Sequence, residues 1–138
     1  MKAIKTMLKE VNTESAPAAI GPYSQAILAG ETLYMSGQIA LDPVTGQMVG
    51  DTVEAQTKQV LNNMTAVLNA AGLSLQDLVS CTIFLSSMDD FAVVNEIYGS
   101  AMGSPAPARG TVAVKTLPKN ALVEIVGTAY KPRGIKPQ

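Results

Sequence analysis

The sequence predicts an α+β domain: one mixed β-sheet with two helices packed on one face. Three observations lead there. Two stretches, at about 51–71 and 89–101, carry apolar residues at spacings of three and four. The other apolar runs are short, strand-like and bounded by Gly, Pro, Asp or Asn. Strung together, the elements read β-β-α-β-α-β-β over 138 residues, with no repeat and no internal boundary. That length suits a single domain spanning 1–138, with residues 1–7 expected to be a flexible or extended N-terminus and Met7 a candidate ancestral start.

Taken in order, "ESAPAAIGPYSQ" is barred from regular helix by Pro17 and Pro22. "SQAILAGETLYMSGQIA" reads as two strands about a turn at Ala29-Gly30-Glu31, and "LDPVTGQ" as a loop opened by Asp42-Pro43. Val53, Thr57, Val60, Leu61, Met64, Val67, Leu68 and Ala71 form the apolar stripe of the clearest helix. Asp51 and Glu54 have capping-box spacing before it, and Gly72 is a natural stop after it. "LVSCTIFL" follows as a strand expected to place Val79, Cys81, Ile83 and Leu85 on one face. Ser87 and Asp90 mark the start of a second helix from about Asp89 to Ala101, with Phe91, Val94, Ile97 and Tyr98 on its apolar side. "MGSPAPA" ends that helix; "RGTVAVKTL" is a strand, Pro118-Lys119-Asn120 a turn, and "ALVEIVGTAY" the last strand. The second face of the sheet is expected to be apolar and bare, to be covered by self-association.

Composition narrows the chemistry. Apolar residues make up 47% and charged residues 15%, with a net charge of −1, so the footprint of a nucleic-acid binder is missing. A single cysteine, Cys81, allows no intrachain disulfide and suits a reducing, cytoplasmic setting. No secretory signal or membrane-length apolar run is present. There is no histidine, which removes Ser-His and Cys-His nucleophile pairs and His-ligated metals. Chemistry is left to Arg, Glu, Asp, Tyr, Ser, Lys, backbone groups and water.

Arg109 stands at a strand entrance stiffened by Pro105 and Pro107. Its planar fork suits a carboxylate, although an ordinary salt bridge or a solvated strand end explains the position as well. Glu124 lies between apolar Leu122 and Val126, as an edge-strand gatekeeper or as a carboxylate that holds water. Tyr23 follows a Gly-Pro turn, as a lid over the core or a pocket wall. Ser36-Gly37 is either an anion-binding corner or a β-bulge. Asn95 interrupts the apolar side of the second helix and is expected to cap a loop, and Cys81 is a small core residue.

Read in order, "APAAIGPYSQA", "MSGQI", "AAG", "DFAVVNEIY", "PAR" and "LPKNALVEI" closely resemble the RidA-type reactive-intermediate (enamine/imine) deaminases of the YjgF family, from about Leu8 to Pro132. The resemblance implies a chorismate-mutase-like fold and a homotrimer with a central barrel-like core and sites between subunits. It implies hydrolysis of 2-aminoacrylate and related 2-iminoacids, released by pyridoxal-phosphate enzymes, to 2-oxoacids and ammonia, with no metal or cofactor and no membrane partner. The family's carboxylate-binding arginine falls on Arg109 and its water-orienting glutamate on Glu124. Pocket residues fall on Tyr23, Ser36, Gly37 and Thr111, and a family asparagine falls on Asn95, read as mainly structural. Two departures stand out: Thr111 replaces a cysteine found in many members, and the 99–108 segment is short and poor in aromatics. A non-catalytic trimer that binds small carboxylates, as a regulator or chaperone-like protein, and an RNA-directed translation inhibitor are the alternative functions.

Overall fold

A computed structural model describes residues 7–130. Six strands form one sheet: β1 Leu8–Val11, β2 Ala26–Ala29, β3 Thr32–Met35, β4 Leu78–Leu85, β5 Ala108–Ala113 and β6 Val123–Tyr130. Their spatial order is β1-β2-β3-β6-β4-β5. Every neighbouring pair is antiparallel except β4 and β5, which run parallel. A parallel pair needs a long crossover, and the helix α2, Phe91–Ala101, supplies it. The longer helix α1, Val53–Ala70, links β3 to β4. The α+β architecture, with both helices on one face, is therefore as predicted.

The core lies between that face and the helices. Leu33, Ile83, Leu85, Val123 and Ile125 of the sheet are fully buried against Val60, Met64, Val67 and Leu68 of α1 and Val94 of α2. Each such side chain contributes about 1.5–3 kcal/mol by leaving water. Alternate residues of β6 point the other way, where Tyr34 is 55% and Val112 47% exposed. The bare second face is thus present in the single chain.

Several local details differ from the sequence expectation. Five strands were expected, and β1 is the sixth; it is ordered by its register on β2, from Leu8 opposite Ala29 to Val11 opposite Ala26. Of its four residues only Val11 is buried, so no alternation announces it. Met7 stands in a turn before it, and the rest of the expected flexible N-terminus lies outside the described residues. The cap of α1 is Thr52, not Asp51: its hydroxyl accepts the Ala55 N–H at 3.1 Å. Asp51 stands one residue too early. At the other end Gly72 takes φ 78°, and the N–H groups of Gly72 and Leu73 donate to the Asn69 and Leu68 carbonyls, closing a Schellman motif.

In β4 the buried set is Leu78, Cys81, Ile83 and Leu85, while Val79 is 48% exposed. The register slips between Leu78 and Ser80, and this bulge swings Val79 out of the alternation. Before α2 comes a tight turn at Met88–Asp90, in which Ser87 Oγ, and not Asp90, caps the Asp89 N–H. Lys119 and Asn120 both take φ 55°, left-handed conformations packed into one short turn.

Three buried amides tie the loops down. Gln25 accepts from the Thr13 N–H and donates to the carbonyls of Thr13, Ala16 and Pro17. Asn63 donates to the Ile39 and Leu41 carbonyls. Gln56 bridges Gly50 and Leu122. None is charged, so each satisfies loop backbone groups without the desolvation cost of an ion.

Candidate functional site

A cavity of about 410 Å³ opens beside the bare face of the sheet, with Tyr23, Ser36, Gly37 and Glu124 in its lining. The walls come from Pro17, Ala18 and Ile20, in the loop that Gln25 clamps, and from Ile39, Leu41, Pro118 and Lys119.

Backbone register creates its floor. Tyr34 pairs with Thr128, and the next pairing is Gln38 with Ile125. Three residues, Met35, Ser36 and Gly37, therefore oppose two, Val126 and Gly127. The extra residue reverses the alternation, so Gln38 is buried, and Ser36, Gly37 and Gln38 all border the cavity. The bulge reading of Ser36-Gly37 is correct, and the same bulge turns both residues toward the cavity. The Ser36 hydroxyl donates to the Ser24 carbonyl at 2.6 Å. With its proton committed, Ser36 Oγ is left as an acceptor.

Glu124 sits directly over Gly37: a Cβ added there would collide with Glu124 Oε2 and stand 3.0 Å from its Cδ. The carboxylate is half-buried and has no hydrogen bond or ion pair among the described residues. Burial alone pushes its pKa up from the ordinary 4.5. The edge-strand explanation for Glu124 does not hold, because β6 is an interior strand between β3 and β4. Nor is Tyr23 a lid over the core. It is 51% exposed, its ring rests on Gly21, and its hydroxyl accepts weakly from the Ile20 N–H at 3.4 Å.

Arg109 is elsewhere. It pairs in register with buried Cys81, so it lies on the helix-bearing face, whereas Glu124 pairs with Phe84 on the bare face. Among the described residues it makes no ion pair, so the salt-bridge explanation also fails. Its Nη1 donates to Asn95 Oδ1 at 2.8 Å, and its guanidinium lies 5.1 Å from the Tyr98 ring centre and 5.7 Å from that of Phe91. Asn95 holds the arginine rather than capping a loop, a contact that a reading of helix periodicity missed. Thr111, two residues along β5, has a buried hydroxyl with no partner. The buried Tyr98 hydroxyl approaches the Cys81 thiol without making a hydrogen bond of normal geometry, and burial pushes both groups' pKa up.

One chain therefore carries two polar clusters on opposite faces: an acid over a glycine corner, and a braced arginine beside an unpartnered hydroxyl. Among the described residues no three His, Cys, Asp or Glu side chains gather to hold a metal ion, and no helix is long and apolar enough to cross a membrane.

Fold and site together define a small α+β protein with an acid-bearing cavity on one sheet face and an arginine braced by Asn95, Tyr98 and Phe91 on the other. The chain belongs to the RidA-type YjgF family: residues 13–131 match the family model Endoribonuclease L-PSP. It is 50% identical over 125 residues to a RutC family protein of Pyrococcus horikoshii, covering 91% of this chain and 99% of that one. Against the 2-iminobutanoate/2-iminopropanoate deaminase of Mus musculus the identity is 44% over 128 residues, with 93% and 95% covered. The crystal structure of the YjgF gene product of E. coli matches with a TM-score of 0.85 at 41% identity, covering 90% of this chain and 99% of that one.

Proposed function

We propose that this protein is a deaminase that hydrolyses 2-iminoacids, such as 2-iminobutanoate and the imine form of 2-aminoacrylate, to 2-oxoacids and ammonia. The observation that carries this reading is Glu124: a half-buried carboxylate with no partner among the described residues, seated over Gly37 in a cavity. Such a group has its lone pairs available for a water, and its raised pKa moves it toward the range where it can both take and return a proton.

In the proposed reaction Arg109 binds the substrate carboxylate through two parallel N–H donors, which fixes the imine carbon for attack. Glu124 accepts a proton from the water as its oxygen bonds to that carbon and the C=N double bond becomes a single bond. Glu124 then returns the proton to nitrogen, giving a carbinolamine; a second proton passes from its hydroxyl to the nitrogen by way of Glu124, the C–N bond breaks, and ammonia leaves as the C=O bond forms. Ser36 Oγ, able only to accept, is suited to an imine N–H. A backbone carbonyl near Thr111 is the second group assigned to the water. The hydrolysis is already easy in solution, so this modest machinery suffices.

Because Arg109 and Glu124 point to opposite faces of one sheet, the reaction requires the arginine of one subunit to meet the glutamate of the next. Three copies in a closed ring, with the bare faces turned inward, satisfy that requirement and cover Tyr34 and Val112. The test is 2-oxoacid formation from freshly generated 2-iminobutanoate. The wild type should accelerate it and Arg109→Ala, unchanged in assembly, should not; equal rates for the two proteins would refute the proposal.

A further inference from the structure

Arg109 is braced rather than free. Phe91, Asn95 and Tyr98 are spaced by four and three along α2, so they share one stripe of that helix. The stripe meets the arginine in three ways: Asn95 Oδ1 accepts from Nη1 at 2.8 Å, and the rings of Tyr98 and Phe91 lie 5.1 and 5.7 Å from Cζ. Tyr98 is 3% exposed and anchored in the core, so its ring cannot follow a moving guanidinium. Both distances lie within the range at which a ring face attracts a cation.

We propose that this stripe is a guanidinium clamp, and that Phe91 and Tyr98 are positioning residues for carboxylate binding at Arg109. The inference rests on the deaminase reading for its substrate but not for its geometry. Asn95 takes up Nη1 and so leaves the Nε–Nη2 edge for an incoming anion. That edge offers two parallel donors, which match the two oxygens of a flat carboxylate. An arginine side chain left unbraced would have to surrender several rotamers on each binding event; the clamp surrenders them during folding. It accounts, too, for two aromatic residues on a helix flank where aliphatic ones would fill the same volume.

The test compares Phe91→Leu, Phe91→Tyr, Tyr98→Leu and Tyr98→Phe with the wild type. Three quantities are read for each: KM and kcat for 2-iminobutanoate, the Kd for 2-oxobutanoate by calorimetry, and Tm. Both leucine variants should raise KM and Kd by about three- to tenfold with a smaller change in kcat. The two ring-preserving variants should stay within about twofold of the wild type. If Tyr98→Leu fails to fold, Phe91→Leu, whose ring is only partly buried, carries the test alone. A Phe91→Leu protein that loses Tm but keeps wild-type KM and Kd would overturn the clamp and leave the ring a packing residue. If the wild type turns over no imine, the deaminase reading falls, while the Kd series still decides the clamp.

Discussion

Replacing Gly37 by alanine should abolish the proposed deaminase activity while leaving the protein folded. The new Cβ would occupy the space of Glu124 Oε2, 3.0 Å from Cδ and 3.2 Å from Val126 Cγ2. Ordinary contact distance can be restored only if the carboxylate retreats by about 1 Å or more. The end of a glutamate side chain rotates easily, so the cost in stability should be about 1 kcal/mol, at the low end for overpacking. Catalysis is less forgiving: a group misplaced by about 1 Å loses roughly 100-fold. The assay is kcat/KM for 2-oxoacid formation from 2-iminobutanoate, alongside thermal unfolding. Glu124→Gln and the double variant complete a cycle in which Gly37→Ala should add little once the carboxylate is gone. Wild-type kcat/KM in Gly37→Ala would refute the reasoning, because the glycine would then not be the seat of the acid.

Other consequences follow from the same geometry. In its proposed role as the base Glu124 works ionised, so kcat/KM should rise with pH through an apparent pKa above the ordinary 4.5, which a pH–rate profile would show. A raised folded-state pKa also means that the folded protein holds this proton more tightly than the unfolded one. The associated stability is present below pH 4.5 and is lost as pH climbs through the folded pKa. Denaturant titrations should therefore find Glu124→Gln more stable than the wild type near neutrality, with the gap closing in acid. Gln25→Ala removes the partners of Thr13, Ala16 and Pro17 backbone groups and should cost about 1–3 kcal/mol, with a looser cavity wall and a higher KM. Urea unfolding and kinetics would measure both.

Much of this was legible in the chain because it is local. The stripe from Val53 to Ala71 is long enough to fix α1, and Gly72 marks its end through backbone conformation alone. The ordered motifs around Tyr23, Ser36-Gly37, Arg109 and Glu124 name the candidate residues. What escaped is non-local. β1 has one buried residue and exists because β2 offers it an edge. Val79 leaves its face because of a bulge against β6, far along the chain. The division of Arg109 and Glu124 between faces depends on β5 running parallel to β4 and on β6 lying inside the sheet, and no spacing along the sequence encodes either. Asn95 reads as a break in an apolar stripe until the strand it meets is known.

The central claim is that the reaction is performed by Arg109 of one subunit and Glu124 of another. Mixing tests it most directly. Arg109→Ala and Glu124→Gln should each be inactive alone; dissociated, mixed in equal amounts and reassembled, they should regain about one quarter of wild-type activity, since about one interface in four pairs an intact arginine with an intact glutamate in a head-to-tail ring. Activity that stays at the level of the separate variants, in a mixture shown to have exchanged subunits, would contradict the claim.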